Sequence, residues 1–426
     1  MAAKSYVIGV GMTKFERPNT RKWDYPDMAY EAGKAALDDC SLTYSSIDAV
    51  VASYCYGEPT SGQCAAYRLG LTGIPIFNVN NNCSSGSSAL MLAKSLVESG
   101  QHNCVMALGF EKMERGLSER YPEKLSPVAR HFDRLTELTG DSSILPTMNK
   151  MTSDVIKMFA YAAREYMKTY PICSKDDFAM IASKNREHAR NNPKAMFYGR
   201  PSLDPKMARD DATLYDPITR HQSSMTADGS ACAIVCNEEW LKENSGGQKR
   251  RAVPILAQRM CTDLKSSFHG TVRALSGYEM AQRASQQCFE QARLSPRDVD
   301  VVELHDCFSC NELFMYEALG LCQEGQGSNY LRSGQWVENE HGKRYFKTRD
   351  GICVNPSGGL EGKGHPIGAT GLAQCYELVT QLRGDARERQ AGHCRIGLQH
   401  NFGIGGAAVI TIYGKPGTND QEMSKL

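Results

Sequence analysis

Apolar residues recur along the chain with two periods, and these periods predict alternating helices and strands. Residues 24–51 combine a helical spacing of apolar positions with a short polar turn and a β-branched run, which predicts helix, turn and strand. Residues 277–302 carry the same pattern. Helix–strand alternation in both halves of a chain favours two α/β units with mixed, largely parallel sheets.

The two segments are also similar in sequence, which indicates an internal duplication. At a constant spacing of 252 residues, Met28, Ala29, Ala32, Leu42, Asp48 and Val50 match Met280, Ala281, Ala284, Leu294, Asp300 and Val302. At a spacing of 282 residues, Gly86, Leu90, Leu96 and Val97 match Gly368, Leu372, Leu378 and Val379. The difference of 30 residues predicts an insertion around residues 322–352. The second spacing sets Cys83 opposite His365.

One long segment, residues 115–222, matches neither copy of the repeat and is rich in charged, Met and Tyr residues. It contains helical stretches, so we expect an inserted loop domain that covers the ligand site. We expect residues 1–114 and 223–250 to form an N-terminal half and residues 115–222 to form the loop domain. Residues 251–415 would then form a C-terminal half, and residues 416–426 a tail.

Composition and charge are those of an ordinary globular enzyme. Hydrophobic residues make up 41% of the 426 residues, charged residues 23%, and the formal net charge is +1. A balance this close to neutrality argues against nucleic acid or an anionic membrane as the main partner. No apolar run reaches the roughly 18 to 20 residues that a membrane helix needs, and the first residues lack a signal-peptide pattern. We therefore expect no membrane insertion.

The cysteines and the last three residues indicate a reducing compartment with a peroxisomal address. The sixteen cysteines are spread over the chain without a secretory signal, so we expect most of them to be buried, reduced thiols. The terminal Ser424, Lys425 and Leu426 form a tripeptide of the type that the peroxisomal import receptor binds. The expected location is the peroxisome or a related organelle such as the glycosome, with mitochondrion and cytoplasm as alternatives.

Cys83 and His365 are the first candidates for chemistry. Cys83 lies in NVNNNCSSGS (78–87), at the predicted start of a helix, whose dipole favours a thiolate by about 0.3 to 2 kcal/mol. His365 lies in the glycine-dense NPSGGLEGKGHPIGATG (355–371), a composition typical of a loop that wraps a ligand closely. We expect a thiolate–imidazole pair. A buried structural cysteine, a capping histidine and a phosphate-binding loop are the alternatives, although GxGxxG and Walker patterns are missing.

His305 and Cys307 follow a predicted strand in VDVVELHDCFSCNELF (299–314), where α/β sheets place active sites. Three interpretations remain open. Cys307 and Cys310 form a CxxC, as in a redox pair. A zinc site would need a second ligand pair at a suitable spacing. Alternatively, Cys307 is an acid/base thiol beside an oxyanion-binding His305.

Further along, the turn in LQHNFGIGGAAVITIY (398–413) would let backbone N–H groups face a ligand oxygen, although a tight hairpin has the same sequence pattern.

Together these motifs resemble the thiolase superfamily, and most closely its sterol-carrier-protein-type members, over about residues 6–415. The further segments that carry the resemblance are GVGMTKF (9–15), ALGFEKM (107–113) and ELHDCFSCNELFMYEALGLCQEGQG (303–327). The resemblance implies a five-layered αβαβα fold with an inserted loop domain and an obligate homodimer. It also implies acyl-CoA and CoA as substrates, with neither a bound cofactor nor a metal.

The resemblance implies a role for each candidate. Cys83 matches the nucleophile that takes up the acyl group, and His365 matches its base. Cys307 matches the acid/base for the enolate, while His305 matches the donor to the thioester oxygen of that enolate. The N–H groups of Cys83 and Gly405 match the hole that holds the oxygen of the transferred acyl group.

Binding residues follow from the same resemblance. Asn355 matches a polar partner near His365, and Ser224 lies where thiolases contact the pantetheine arm of CoA. Gly364 and Gly406 are the other expected contacts to CoA.

Two departures from the family pattern matter. Most thiolases take the acid/base cysteine from a CxG motif near the C-terminus, but Gly403 stands at that position here. The role therefore falls on Cys307, as in the subgroup with the HDCF motif. Sterol carrier protein X continues into a lipid-carrier domain, whereas this sequence ends at Leu426. We therefore expect no lipid-carrier function.

The expected reaction is thiolysis of a 3-oxoacyl-CoA, or the reverse Claisen condensation, in lipid metabolism. An acyl-cysteine at Cys83 divides the reaction into two half-reactions, which predicts ping-pong kinetics. The subgroup favours 2-methyl-branched or sterol side-chain substrates. A decarboxylating condensing enzyme and a non-catalytic acyl-CoA-binding scaffold are the alternatives. Cys307 argues against the first, and the four filled catalytic positions argue against the second.

Overall fold

A computed structural model describes residues 4–113, 123–148, 151–244 and 251–417. The terminal tripeptide at 424–426, and with it the expected import signal, lies outside the described residues. Within the described ranges, no helix combines the length and apolar character required to span a bilayer.

Strands and helices alternate along the chain, as the hydrophobic pattern predicted. The strands are β1 (Ser5–Met12), β2 (Ala49–Ser53), β3 (Ile76–Val79), β4 (Cys104–Glu111), β5 (Thr213–Tyr215), β6 (Ile218–Thr219), β7 (Gly229–Asn237), β8 (Val253–Cys261), β9 (Val301–Glu303), β10 (Gln335–Glu338), β11 (Arg344–Lys347), β12 (Cys353–Val354), β13 (Ile396–Gly403) and β14 (Ala407–Gly414).

The helices are α1 (Tyr25–Asp39), α2 (Ser61–Ala66), α3 (Ser85–Glu98), α4 (Ala129–Thr139), α5 (Met151–Thr169), α6 (Lys175–Arg190), α7 (Pro205–Arg209), α8 (Glu238–Glu243), α9 (Val272–Leu275), α10 (Tyr278–Ala292), α11 (Ser309–Ala318), α12 (Gly327–Arg332), α13 (Gly359–Lys363) and α14 (Thr370–Arg383). The start of α1 shows how local sequence sets these bounds. Asp24 accepts a hydrogen bond from the Tyr25 N–H and forms a capping box with Asp27.

The core consists of two five-stranded units with the same strand order. The first unit has the order β3–β2–β4–β7–β1 and the second β12–β9–β13–β14–β8. In both, three parallel strands are followed by two antiparallel ones. Pairing of Tyr6 with Pro254 and of Val7 with Val253 joins the two units into one sheet. The repeated order bears out the duplication, and β10 and β11 lie in the insertion predicted around residues 322–352.

Successive residues of each strand point to opposite faces of the sheet, and each face is covered by helices. The two units share the helix layer between them, so the core has five layers. Val50 and Met106 pack with α1 on the outer face of the first unit. Val51 and Val301, from the inner faces of the two units, pack in one cluster with α3 and α14. Val302 on the outer face of the second unit packs with α10 and α11. The fold is therefore the predicted αβαβα arrangement.

The segment between β4 and β7 contributes α4 to α7 and the β5–β6 hairpin. Its helices lie over the second unit, where α5 contacts α9 and α11, and α6 contacts α11 and α13. This segment therefore covers the loops that lead into α11 and α14. The domain boundaries given above stay predictions.

The two central helices approach each other so closely that glycine is required at their contact. A Cβ on Gly86 would lie 2.9 Å from the Leu372 nitrogen and 3.0 Å from the Gly371 nitrogen. A Cβ on Gly371 would in turn overlap the backbone nitrogen of Ser87. Gly86 and Gly371 each occupy the second position of helices of equal length, 14 residues.

This contact corrects the register of the second repeat block. The equivalent helix starts are Ser85 and Thr370, so the spacing is 285 residues and not the 282 inferred from sequence identities. Cys83 is therefore equivalent to Gly368, and His365 lies three residues before that equivalent position. The two side chains meet because both precede the crossing of α3 and α14, and not because they are repeat partners.

We expect Gly371→Ala to lower the free energy of unfolding by at least about 1 to 3 kcal/mol, since the added methyl group meets backbone that cannot rotate away. The thermal midpoint and urea denaturation measure this effect. Gly270→Ala is the matched control, because a Cβ there meets nothing closer than 3.6 Å. Equal midpoints for the two variants would contradict the glycine-dependent contact.

Candidate active site

Cys83, His305, Cys307 and His365 line one cavity of about 140 Å³. The Cys83 sulfur and one ring nitrogen of each histidine all lie within 4.8 Å of one another. Cys83 comes two residues before α3, His305 and Cys307 lie between β9 and α11, and His365 lies between α13 and α14. The structure thus brings together the four residues that the sequence motifs single out.

The rest of the cavity wall is largely apolar. The side chains of α5 form one side, and aromatic and aliphatic residues beside the motifs form the other: Val155, Ile156, Phe159, Phe308, Ile367, Phe402 and Ile404. Ser224 also lines the cavity, and its N–H donates to the Cys307 carbonyl at 2.9 Å. Such a wall limits water and strengthens the electrostatic interactions inside.

Asn401 on β13 determines which nitrogen of His305 carries the proton. Its Nδ2 lies 3.1 Å from the Cys83 carbonyl oxygen and 3.1 Å from His305 Nδ1, while its Oδ1 accepts from the Ser87 hydroxyl at 2.8 Å. A carbonyl oxygen only accepts, so the amide NH₂ must face Cys83, and its second proton is donated to His305 Nδ1. The proton of neutral His305 therefore lies on Nε2.

Thr370 determines the opposite state for His365. The Thr370 hydroxyl donates to the Pro366 carbonyl at 3.0 Å and lies 2.7 Å from His365 Nδ1. A hydroxyl has one proton, so both contacts are satisfied only when His365 Nδ1–H donates to Thr370 Oγ1. His365 Nε2 then keeps its lone pair, and it is buried without a hydrogen-bond partner among the described residues.

Burial keeps the thiols and imidazoles of the free protein's candidate site neutral. Loss of solvation lowers the pKa of His365 to about 3 and that of His305 well below its usual value, and the neighbouring His365 and His400 add to the effect on His305. Burial likewise raises the pKa of Cys83 to about 12, although N–H groups of Cys83 and Ile404 oppose the shift. The expectation that the helix start would favour a Cys83 thiolate is therefore corrected, because desolvation outweighs the dipole.

Cys307 and Cys310 have different surroundings. Cys307 is partly exposed to the cavity, whereas Cys310 is buried beneath α5 with its sulfur 3.7 Å from the Phe159 carbonyl oxygen. Burial raises the pKa of both thiols well above the usual value. Cys307 is thus a protonated thiol that faces the cavity, and Cys310 is a packed thiol behind it.

Asn355 is hydrogen-bonded to the residue before His305 and to α11. Its side chain accepts the Leu304 N–H at 2.9 Å and donates to Glu312 at 2.9 Å. The two ends of the amide are therefore engaged by the loop that carries His305 and by α11. His365 Nδ1 is hydrogen-bonded to Thr370, and the role of Asn355 as a polar partner near His365 stays a prediction.

The three glycines of the predicted set do not belong to the wall of the Cys83 cavity. Gly405 and Gly406, with φ of +97° and +106°, line a neighbouring depression, while Ile404 lines the Cys83 cavity. The N–H groups near the Cys83 sulfur are those of Cys83 itself and of Ile404, so the role of Gly405 in an oxyanion hole stays a prediction. Gly364 follows α13 with φ +105°, and a Cβ there would meet Ala227 at 3.0 Å.

A larger cavity of about 780 Å³ adjoins the site and is lined by basic side chains. Ser223 and Thr226 line both cavities. Arg17, Arg186 and Arg220 surround the larger one, and the Arg186 guanidinium stacks 3.5 Å above the Phe197 ring. A phosphorylated ligand whose other end reaches Cys83 fits this arrangement of charge.

Sequence reasoning missed Asn401, Thr370 and Glu111 as parts of the site. Glu111 is fully buried, accepts N–H bonds from Cys55, Tyr56 and Gly368, and its pKa is raised to about 7 by burial. Its charge also raises the pKa of Cys83. For Asn401 a signal existed, since a polar Gln–His–Asn run interrupts an otherwise apolar strand.

Two family descriptions match the chain. They are "Thiolase, N-terminal domain", over residues 5–200, and "Thiolase C-terminal domain-like", over residues 265–415.

Three related proteins match over nearly the whole chain. Sterol carrier protein 2 of Rattus norvegicus is 47% identical over 414 residues, which cover 96% of this chain and 71% of that protein. Non-specific lipid-transfer protein-like 2 of Caenorhabditis elegans is 42% identical over 426 residues, which cover 99% and 98%. An acetyl-CoA acetyltransferase of Methanothermobacter thermautotrophicus is 31% identical over 424 residues, which cover 96% and 99%.

Solved structures share the fold at low sequence identity. Human mitochondrial 3-ketoacyl-CoA thiolase in complex with CoA has a TM-score of 0.69 at 17% identity, covering 97% of this chain and 99% of its own. The Ltp2-ChsH2(DUF35) aldolase has a TM-score of 0.75 at 21% identity, covering 98% and 99%. Both show that the five-layered core is shared.

The raised pKa of Cys83 predicts the pH dependence of its alkylation in the free protein. Because the thiolate forms only as the pH approaches that raised value, the rate with iodoacetamide should increase about tenfold per pH unit from about pH 7 to about pH 10. Mass spectrometry of the Cys83 peptide measures this rate, and Cys83→Ala provides the background from other cysteines. A plateau near neutral pH would instead indicate a preformed thiolate–imidazolium pair.

Proposed function

The chain belongs to the thiolase family and is an acyltransferase of that family, and on this premise we propose that it is a 3-oxoacyl-CoA thiolase. It would cleave 3-oxoacyl-CoA with CoA or run the reverse Claisen condensation. The observation that carries the proposal is the convergence of Cys83, His305, Cys307 and His365 on one cavity, with the two histidines in opposite tautomers.

The first step requires a nucleophile and a base. Cys83 sulfur attacks the 3-keto carbon, and His365 Nε2, whose lone pair faces no other partner in the described structure, takes the thiol proton. Both groups are neutral beforehand, so the proton moves only as the new bond forms. The N–H groups of Cys83 and of the 404–405 turn would hold the developing oxyanion.

The second step breaks the bond between the α and β carbons and expels an enolate. His305 Nε2–H donates to the thioester oxygen of that enolate, and removal of one such donor typically costs about 3 to 4 kcal/mol. The raised pKa of Cys307 keeps it a protonated thiol, which supplies the proton to the α carbon. The products are the acyl-Cys83 enzyme and acetyl-CoA or, from a 2-methyl substrate, propionyl-CoA.

The third step transfers the acyl group from Cys83 to the sulfur of CoA. The CoA thiol gives its proton to the Cys307 thiolate, and the departing Cys83 thiolate takes its proton back from His365. Two half-reactions linked by an acyl-enzyme give ping-pong kinetics. The solved human thiolase binds CoA. Here the nucleotide of CoA would lie in the basic cavity, and its pantetheine arm would pass Ser223, Ser224 and Thr226 to reach Cys83. CoA acts as a substrate, with no resident cofactor.

The substrate class follows from the cavity wall and from the relatives. Apolar side chains of α5 and of the Phe308 and Phe402 loops favour an alkyl group over a polar one. Relatives named as sterol carrier and lipid-transfer proteins support branched 2-methyl or sterol side-chain acyl groups, within β-oxidation or a related lipid pathway.

Assembly and location form part of the same proposal. Strand β3 ends the sheet of the first unit and pairs only with β2 among the described strands, which leaves an edge for a second copy of the chain. Its end leads directly to Cys83, so a homodimer would also support the nucleophile loop. The Ser424–Leu426 tripeptide would direct the protein to peroxisomes or glycosomes through the import receptor.

A decarboxylating condensing enzyme is the second candidate, since it also uses one cysteine and two histidines. Decarboxylation supplies the enolate without a proton-transferring thiol. The partial exposure of Cys307 to the cavity therefore favours the thiolase.

Cys307→Ala tests the function most directly. We expect thiolysis of acetoacetyl-CoA to fall roughly 10²- to 10⁴-fold, because the variant loses its general acid. Mass spectrometry of the substrate-treated variant should still show an acyl group on Cys83. Near-wild-type turnover in folded Cys307→Ala would favour the condensing enzyme. Cys310→Ala is the matched control and should keep its turnover, whereas equal losses in both variants would favour a redox pair.

Arg186→Gln tests the CoA cavity. We expect KM for CoA to increase roughly ten- to a hundredfold, since charged hydrogen bonds to phosphate are lost, while kcat changes little. Pantetheine, which lacks the nucleotide phosphates, should serve both forms equally. Arg209→Gln is the control, because Arg209 pairs with Asp176 and Asp210 away from the cavity. Equal effects with CoA and pantetheine would argue against nucleotide binding at Arg186.

A further inference from the structure

The Cys83–His305–His365 cluster has the composition of a transition-metal site as well as that of a catalytic site. One sulfur and two imidazole nitrogens within 4.8 Å of one another are a ligand set that zinc accepts in catalytic sites. To bind, each imidazole must present an unprotonated nitrogen. His365 does so, since its Nε2 lone pair is unengaged in the described structure.

His305 differs because of Asn401. With the Asn401 amide protons on the Cys83 carbonyl and on His305 Nδ1, the Nε2 of His305 carries a hydrogen and offers no lone pair to a metal. A metal on Nε2 would move the proton to Nδ1, where it would meet the amide NH₂. Rotation of the amide would then bring Oδ1 against the Cys83 carbonyl and remove the acceptor of the Ser87 hydroxyl.

We propose that Asn401 is a positioning residue that holds His305 as an Nε2–H donor and thereby keeps thiophilic divalent cations out of the Cys83–His305–His365 cluster. The hydrogen bond from Asn401 to His305 has two consequences. It presents a proton where the enolate oxygen forms, and it withholds the third ligand from a metal. The catalytic half of this inference rests on the proposed function, whereas the metal half depends only on the cluster.

The surroundings of Asn401 support this role. Gln399 on the same strand donates to Ser87 Oγ at 2.8 Å, so the Ser87 hydroxyl proton is directed to Asn401 Oδ1. Asn401 is fully buried, so neither end of its amide is exposed to water. The orientation of the amide is therefore set from both sides, by an acceptor at Cys83 and a donor at Ser87.

Asn401→Asp tests the inference, because a carboxylate accepts from Nδ1–H and turns His305 Nε2 into a metal ligand. We expect Zn²⁺, measured by competition with a chromogenic chelator, to bind the variant roughly 10- to 100-fold more tightly than the wild type. Co²⁺ should give a sulfur-to-metal charge-transfer band. Adding Cys83→Ala to the Asn401→Asp variant should abolish both the increase in Zn²⁺ affinity and the Co²⁺ charge-transfer band. This double variant distinguishes binding at Cys83 from binding at other cysteines.

Ser87→Ala is the matched control. It removes a hydrogen bond from the same buried network but leaves the NH₂ group between Cys83 and His305, so Zn²⁺ affinity should stay at the wild-type value. A merely structural role for Asn401 predicts equal effects in the two variants, and that result would overturn the proposal. Thermal midpoints of all variants establish that they are folded.

Asn401→Ala covers the case in which the aspartate variant fails to fold. It removes the donor to His305 Nδ1, so the affinity for Zn²⁺ should rise, though less than with aspartate. An unchanged affinity in the folded variant overturns the proposal. Thiolysis by both Asn401 variants should fall roughly 10²- to 10³-fold while Cys83 is still alkylated. If the wild type shows no thiolysis but the Zn²⁺ results hold, the proposed function fails and the positioning role stands.

Discussion

The backbone contact between α3 and α14 is the constraint on which the site depends. Gly86 and Gly371 let the two helix starts approach until backbone faces backbone. The loops that precede those starts carry Cys83 and His365, so the crossing brings a thiol and an imidazole from distant parts of the chain to the same place. Any side chain at the contact would separate the two helices and, with them, these two groups.

The burial of the site at this crossing explains the protonation states of its side chains. Burial opposes charge on Cys83, His305, Cys307 and His365, so the thiols stay protonated and the imidazoles stay neutral. Under that condition the position of one proton on each ring decides what the ring can do. Thr370 leaves a lone pair on His365, and Asn401 leaves a hydrogen on His305. Two chemically identical side chains thus become an acceptor and a donor.

A buried polar network behind Cys307 connects the inserted segment to the loops that carry His305 and His365. Asn185 on α6 donates to Asp306 at 3.0 Å and to Glu312 at 2.8 Å, and Lys184 pairs with Glu312 at 2.5 Å. Asp306 in turn accepts the Leu360 N–H at 2.7 Å, on the chain that leads to His365. Breaking one contact of such a network is costly, because it leaves a buried polar or charged group without its partner. These contacts therefore hold the covering segment and the loops of His305 and His365 together as one unit.

The sequence alone determined the alternation of helices and strands and the duplication, and it singled out the four residues that meet in the candidate site, because periodicity and short motifs are local properties. It misplaced the second repeat block by three residues, since small and leucine residues recur at similar spacing within a helix. It also favoured a thiolate at Cys83. Tertiary structure decided these points, because burial and hydrogen-bond partners depend on distant segments. His305 and Asn401, for example, are 96 residues apart in the chain, and only folding shows which proton His305 keeps.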